Sequence, residues 1–470
     1  MKTKKYRFEN FLFYDCAGIE RHLEKMSAKG WQLSKINRFI WVYRRSEPKK
    51  FSYTATYFPE ASDFNPYPTY NQQTFHDYCK DAGWQLAAEW AQMQIFCSAE
   101  ENPTPIETEE PVKLKAIHRS MLKNFLPGNV LLLLLFMLSL FFLLQLITNT
   151  PVHALANNGI LVIAFLFSLL AVYLTASLIG YARWYFRSKR AVKTGGNCVE
   201  IGSGYIKVSV VMFGISIAVI LLFALTEPNG WLVLAHCAGV MVIMVLVLVI
   251  QNFLKRMEVT RSTNIGVTIL SAVVLSLILN SVIPRVASLG KRAGWFGQSP
   301  AKTYTTTINN MKHTWEYYSD PLPLTLEDLR AADKAFYSYE WNASESLLLA
   351  RYSGRQVALP DYERGLFYSI VIVKWPALFD LCLNDYLNMY NKSYLRLAPS
   401  SSKKKFLKTD DPVWQADAVY QLYDDKAGAK DDYILCWGNR IVYIDFNEMP
   451  TSEQIAVASA KLRGYPPSRE

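Results

Sequence analysis

The residue types that could bind a metal, move a proton or attack an electrophile are few and scattered. The six histidines are His22, His76, His118, His153, His236 and His313. No two stand four apart, and none belongs to a His-Glu-x-x-His run, so no histidine metal site is expected. The seven cysteines include no Cys-x-x-Cys pair, which argues against zinc and against a disulfide scaffold. Cys382 and Cys436 sit in apolar contexts, Leu381-Cys382-Leu383 and Leu435-Cys436-Trp437, and read as core fillers, with a disulfide between them as the alternative. The acidic pairs Asp410-Asp411, Asp424-Asp425 and Asp431-Asp432 lack calcium-loop spacing and read as solvated loops. Gly202-Ser203-Gly204 is too short for a phosphate loop, and no nucleophile-elbow, Ser-x-x-Lys or Walker pattern is present. No catalytic residue, metal ligand or cofactor is therefore assigned, and the chain is not expected to be an enzyme.

Charge gives more. The chain is 51% hydrophobic and only 19% charged, with a formal net charge of +10. That excess is confined to residues 111–284, which hold 13 Lys and Arg against 3 Asp and Glu. The same third carries five uncharged apolar runs, 130–147, 160–179, 208–225, 231–250 and 265–283, each about long enough to cross a bilayer. Basic residues cluster before the first run (Lys113, Lys115, Arg119, Lys123), between the second and third (Arg183, Arg187, Lys189, Arg190, Lys193, Lys207), and between the fourth and fifth (Lys255, Arg256, Arg261). The other two connections carry none. This alternation predicts a multi-pass protein with its N-terminus in the cytoplasm and its C-terminus outside, and it makes nucleic-acid binding a poor expectation. Residues 6–15 alternate polar with apolar and do not read as a cleavable signal. No run contains an acidic residue, which disfavours ion-coupled transport; His236, inside the fourth run, reads as a neutral packing residue.

The N-terminal third repeats itself. Gly30-Trp31-Gln32-Leu33 recurs as Gly83-Trp84-Gln85-Leu86. Each copy follows a helix-like stretch (18–29, 72–82) and precedes an alternating one (39–43, 92–96). Gly30 and Gly83 are placed to end those helices with a positive φ, and Trp31 and Trp84 to cover the helix ends. His22 and His76 fall on these helices as polar boundary positions. With strands at 6–13 and 50–58, the order is β-α-β-β-α-β, a ferredoxin-like sheet with helices on one face. If Ile40, Val42, Met93 and Ile95 face the helices, period two puts Trp41, Tyr43, Gln92, Gln94 and Phe96 on the open face. That face reads either as a partner-binding platform or as cover for a neighbouring segment. An acidic, proline-bounded linker (103–111) and a basic stretch (112–125) expected to meet anionic lipid then lead to the membrane.

Residues 18–33 (GIERHLEKMSAKGWQL), 41–48 (WVYRRSEP) and 102–109 (NPTPIETE) also resemble the domain-of-unknown-function family 2812 of bacterial membrane proteins. The resemblance covers about residues 8–110. It implies a regulatory pairing with a PadR-type winged-helix transcription regulator, and it implies no catalytic residue.

The organisation expected is thus a cytoplasmic ferredoxin-like α+β domain (1–102), a linker and juxtamembrane segment (103–125), five transmembrane helices (126–284) and an extracytoplasmic α+β domain (285–470). In the last, Thr325 and Asp328 cap a short helix, strands fall at 346–350, 366–373, 418–423, 433–437 and 440–446, helices at 375–390 and 453–462, and 399–405 forms a basic loop. The function that follows is a non-enzymatic membrane sensor, in which an envelope ligand or protein outside controls a partner held inside. The alternative is a transporter, or an accessory subunit of one, for an apolar substrate.

Overall fold

The computed structural model describes residues 3–9, 11–37, 40–100, 103–201, 204–226, 230–292, 302–308, 311–317, 322–330, 337–358, 365–391 and 403–465. It divides into two compact units, Met1–Ser139 with Leu166–Arg285, and Leu140–Phe165 with Val286–Glu470.

In the first unit the repeat is built twice as β-α-β-β. The first copy is β1 (Lys4–Phe8), α1 (Cys16–Ala28), β2 (Trp31–Lys35) and β3 (Ile40–Arg45); the second is β4 (Ser52–Tyr57), α2 (Tyr70–Asp81), β5 (Gln85–Trp90) and β6 (Met93–Ser98). Each forms a three-stranded antiparallel sheet, in the orders β1-β3-β2 and β4-β6-β5. The domain is therefore a small sheet domain with two sheets, where the sequence reading expected a single ferredoxin-like one. The difference lies in the repeated motif itself: Trp31 to Leu33 and Gln85 to Leu86 are strand residues, each pairing with the next strand across a bulge. The apolar stripe of α1 (Ile19, Leu23, Met26) is buried and packs on both sheets, against β2 and β4.

The helix ends behave as their residues dictate. Asp15 caps α1 by accepting the Gly18 N–H, and Thr69 caps α2 through the Gln72 N–H. Gly30 and Gly83 follow the two helices at φ +75° and +82°. At Gly30 a Cβ would stand 2.8 Å from the Ser46 carbonyl oxygen, which is backbone and cannot turn away. Gly30→Ala is expected to destabilise the domain by roughly 1–3 kcal/mol. A thermal shift of the detergent-solubilised chain would read this, and an unchanged midpoint would contradict it.

Among the described residues, five helices are long and apolar enough to cross a membrane. The first runs unbroken from Glu110 to Asn149 as α3 (Glu110–Ser120), a π-turn (Met121–Phe125) and α4 (Leu126–Asn149). After a short helix α5 (Pro151–Leu155) come α6 (Asn158–Lys193), α7 (Gly204–Thr226), α8 (Trp231–Arg256) and α9 (Arg261–Arg292). Their lateral faces expose leucine, valine and phenylalanine, as a lipid-facing surface requires.

The second unit holds a two-stranded hairpin, β7 (Lys302–Ile308) with β8 (Met311–Tyr317), and a seven-stranded antiparallel sheet. Its strands are β9 (Tyr337–Glu345), β10 (Leu349–Ala358), β11 (Gly365–Val373), β12 (Lys404–Thr409), β13 (Ala418–Asp424), β14 (Gly428–Trp437) and β15 (Arg440–Asp445), in the order β12-β13-β14-β15-β11-β10-β9. Each face has its own core. One is closed by α10 (Leu326–Leu329) and α12 (Ser452–Arg463) over Tyr368, Leu435 and Ile444. The other is closed by α11 (Phe379–Leu387) and α5 over Val371, Ile434 and Ile441. The capping box Thr325/Asp328 is present, and Gly438 takes φ +55° in the β14–β15 turn. Two expectations are corrected. Residues 346–348 are a turn between β9 and β10, and Lys404 and Lys405 belong to edge strand β12 rather than to a basic loop, whose residues 399–402 lie outside those described. Cys382 and Cys436 are buried free thiols, as their apolar contexts suggested.

Candidate functional site

The face singled out from the repeat is inside the protein. Trp41, Tyr43, Gln92, Gln94 and Phe96 are all buried. Tyr43 and Gln94 lie under the helices of their own repeats: the Tyr43 hydroxyl is 3.1 Å from His22 Nε2 on α1, and Gln94 Oε1 is 2.8 Å from His76 Nε2 on α2. Phe96 packs with Phe75 and Cys79 of α2, and Trp41 stands 5.4 Å, ring to ring, from Phe11. Gln92 instead donates to the Ala61 carbonyl. Period two groups these residues correctly, but in the first sheet the covered face is the one expected to be open, and in the second sheet both faces are covered. Tyr43 could go inside because Glu9 and His22, themselves 3.0 Å apart, satisfy its hydroxyl. Of the repeated tryptophans, Trp84 is buried and donates Nε1 to the Thr104 carbonyl, whereas Trp31 is half-buried with Lys5 and Arg45 each 5.2 Å from its ring.

The opposite face differs between the halves. In the second sheet Met93 and Ile95 are covered by the core that α1 shares with α3. In the first sheet the equivalent face is open: Tyr6 is 68% exposed, Phe8 63% and Ile40 46%. On it Lys4 stands directly across from Arg44, and among the described residues neither forms an ion pair. Two cations opposed in this way destabilise a sheet slightly unless an anion joins them.

The best-built polar site lies where the membrane helices enter this domain. Leu114, Ile117 and Met121 of the first long helix are part of the same core as Ile19 and Leu23. Tyr14 packs on Tyr181 and Trp184 of α6, at 5.1 and 4.8 Å, and Phe13 on Phe125 at 4.7 Å. Among these rings sits a polar cluster. Glu20 accepts the Ala55 N–H, Glu107 accepts the Thr56 hydroxyl at 2.6 Å, and Glu110 accepts the Cys198 N–H at 2.9 Å. Lys113 lies among Cys16, Glu20, Glu107 and Glu110. This corrects two expectations: Lys113 is partly buried near these carboxylates rather than spread into lipid headgroups, and the acidic stretch before it is packed on the domain rather than strung as a linker. The segment after α6 closes the site, with Trp184 Nε1 donating to the Val199 carbonyl and Arg21 pairing with Glu200.

A cavity of about 210 Å³ remains there, bounded by Asp15, Cys16, Glu110, Lys113, Cys198 and Glu200. Burial pushes the Cys16 thiol up to about 12 and, with the Glu110 carboxylate, the Cys198 thiol to about 12, so neither is a thiolate nucleophile. Burial likewise raises Glu20 and Glu107 above the usual carboxylate range. One further connection, from α8 to α9, meets the domain: Gln251 donates to the Asp63 carbonyl, buried Asn264 to the Phe64 carbonyl, and Tyr67 to Glu258.

In the second unit the turn between α4 and α6 was not singled out from the sequence. Val152, Ala154, Leu155 and Ala156 are buried against the sheet. The Val152 N–H donates to Asp385, Ser346 Oγ to the Leu155 carbonyl at 2.6 Å, Ser344 Oγ to the Ala156 carbonyl, and Asn158 Nδ2 to the Glu345 carbonyl. The sequence signal was present in the apolar pair Val152/Leu155 within a twelve-residue connection, 148–159, that needed no apolar residue.

The aspartate pairs are not all solvated loops, since Asp424 and Asp432 are buried. Asp431, Asp432 and Asp445 bring carboxylate oxygens within 4.8 Å of one another, and Asp432 accepts the Tyr443 and Tyr390 hydroxyls. Burial first, then the Asp432 charge, pushes Asp445 up to about 6. A carboxyl whose folded value exceeds its unfolded one of about 3.9 contributes stability in full below that value and loses it as pH rises through the folded one. The C-terminal domain is therefore expected to melt higher near about pH 5 than near about pH 7.5, with Asp445→Asn removing most of the difference. Equal pH profiles for the two chains would contradict this.

Residues 15–127 match the family described as a protein of unknown function (DUF2812), a segment running from α1 to the start of α4. No curated protein matches the chain, and no solved structure does.

Proposed function

We propose that this chain, whose residues 15–127 carry that family's pattern, is a non-enzymatic membrane sensor that transmits a state from an extracytoplasmic domain to a cytoplasmic, partner-holding one. The observation that carries this is the α4–α6 hairpin. Its tip is part of the core of the C-terminal sheet domain, and its stems are part of the core of the N-terminal one. The connections that meet the N-terminal domain, 194–201 and 251–264, are those flanked by basic residues, which supports a cytoplasmic side for it. The π-turn at Met121–Phe125, where the helix leaves the domain, is a site at which helices commonly adjust.

The partner-holding surface is the open face of Tyr6, Phe8 and Ile40 beside Lys4 and Arg44. It fits an apolar patch bordered by acidic side chains on a soluble protein, and the PadR-type regulator implied by the family is the partner proposed. Site-specific photocrosslinking in intact cells tests this, with the crosslinker replacing Tyr6 and, as a control on the same domain, exposed Tyr78. A DNA-binding regulator captured at Tyr6 and not at Tyr78 is the expected result. Capture of no soluble protein at Tyr6, or of membrane transport subunits alone, would overturn it in favour of transport.

A further inference from the structure

The C-terminal sheet domain presents two large apolar side chains at one place, and that place is defined by the membrane helix beside it. Leu347, in the β9–β10 turn, is 83% exposed, and Trp375, just after β11, is 60% exposed. They are neighbours by construction. β10 and β11 pair through Leu349 and Val373, and the Lys374 N–H then donates to the Leu348 carbonyl at 3.0 Å, so Leu347 and Trp375 lie one step beyond the end of that ladder.

The same turn is tied to the chain at the point where α6 begins. Glu345 accepts from Asn158, the first residue of α6, while Ser344 and Ser346 hold the Ala156 and Leu155 carbonyls. The uncharged apolar run starts at Ile160. At the helical rise of 1.5 Å per residue it begins only about 3 Å along the axis from Asn158. A turn fixed to residues 155–158 is thus fixed at the level where a spanning α6 leaves the headgroups. A tryptophan and a leucine exposed at that depth meet lipid rather than bulk water, and tryptophan is the side chain most suited to that boundary. Lys374 beside them is engaged with Glu345 at 2.8 Å and with the Ser346 carbonyl, so the contact does not depend on attraction to anionic lipid.

We propose that Leu347 and Trp375 form an interfacial anchor, inserting into the headgroup region of the bilayer and holding the C-terminal sheet against the membrane. The partner is a phospholipid surface. The inference rests on α6 crossing a bilayer, not on which compartment the domain occupies or on any signalling role.

The test uses the full chain in phosphatidylcholine vesicles, with Cys198 and Cys237, the cysteines that are not buried, replaced by serine. An environment-sensitive fluorophore is attached at Leu347→Cys, at Trp375→Cys in a second preparation, and at exposed Lys426→Cys as the reference. The expected result is blue-shifted emission at both anchor positions, quenched by nitroxide-bearing lipid and not by aqueous iodide, with the opposite pattern at the reference. Quenching by iodide and not by lipid would overturn the proposal by placing the turn in water. Shielding from both quenchers would overturn it in favour of a protein cover such as a second copy of the chain. A loss of cytoplasmic partner capture with the quenching pattern intact would bear on the sensor reading alone.

Discussion

Replacing Tyr43 with alanine is expected to unfold the N-terminal domain rather than to free a binding surface. Tyr43 is completely buried, among Ile19, Leu23 and Trp41. Removing a buried aromatic ring costs about 3–5 kcal/mol. Its hydroxyl also spans His22 Nε2 and Glu9 Oε1, so alanine leaves a buried carboxylate with one partner fewer. Tyr43→Phe keeps the ring and loses only the hydroxyl, and is expected to cost about 1–2 kcal/mol. The check is the thermal midpoint and yield of the purified full chain. An alanine variant as stable as the native protein would mean that Tyr43 is at a surface after all.

The second large effect is at the hairpin tip. Leu155→Ala is expected to cost about 2–4 kcal/mol, because Leu155 is buried with Leu349, Val371 and Ile441 and the sheet cannot close over the gap. Leu155→Asp places a carboxylate in that apolar core and is expected to detach the tip altogether. Hydrogen exchange at β10, β11 and α11 reads this directly. Loss of protection there is the expected outcome, and unchanged protection would mean that the tip only rests on the sheet.

Much of the architecture was legible because it rests on local rules. The charge-free runs and basic connections mark five long helices among the described residues, and Thr325, Gly30 and Gly83 mark helix ends by hydrogen-bonding and φ requirements that act within a few residues. What stayed hidden depends on tertiary context. Trp41 and Ile40 alternate by rule, but which of them is covered depends on α1 lying between two sheets, and the aliphatic residue is the one left outside. Lys113 looks like any juxtamembrane lysine until Glu20, from ninety residues earlier, is brought beside it. Val152 and Leu155 look like loop residues until β10 and α11 are folded against them. Of the candidate sites, the hairpin junctions were not readable in advance, since no short pattern encodes them.

The claim on which the account turns is that the α4–α6 hairpin couples the domains at its two ends, which requires that a change at one be felt at the other. Hydrogen exchange at residues 14–20, 110–118 and 197–201 of the full chain in lipid measures it, comparing Leu155→Ala with Leu462→Ala. Leu462, on α12, is likewise buried in the C-terminal domain but belongs to the core on the opposite face of the sheet. The account predicts that Leu155→Ala changes protection in those N-terminal segments while Leu462→Ala leaves them as they are. N-terminal segments untouched by both variants would show that the hairpin joins the two domains without coupling them, and would contradict the account.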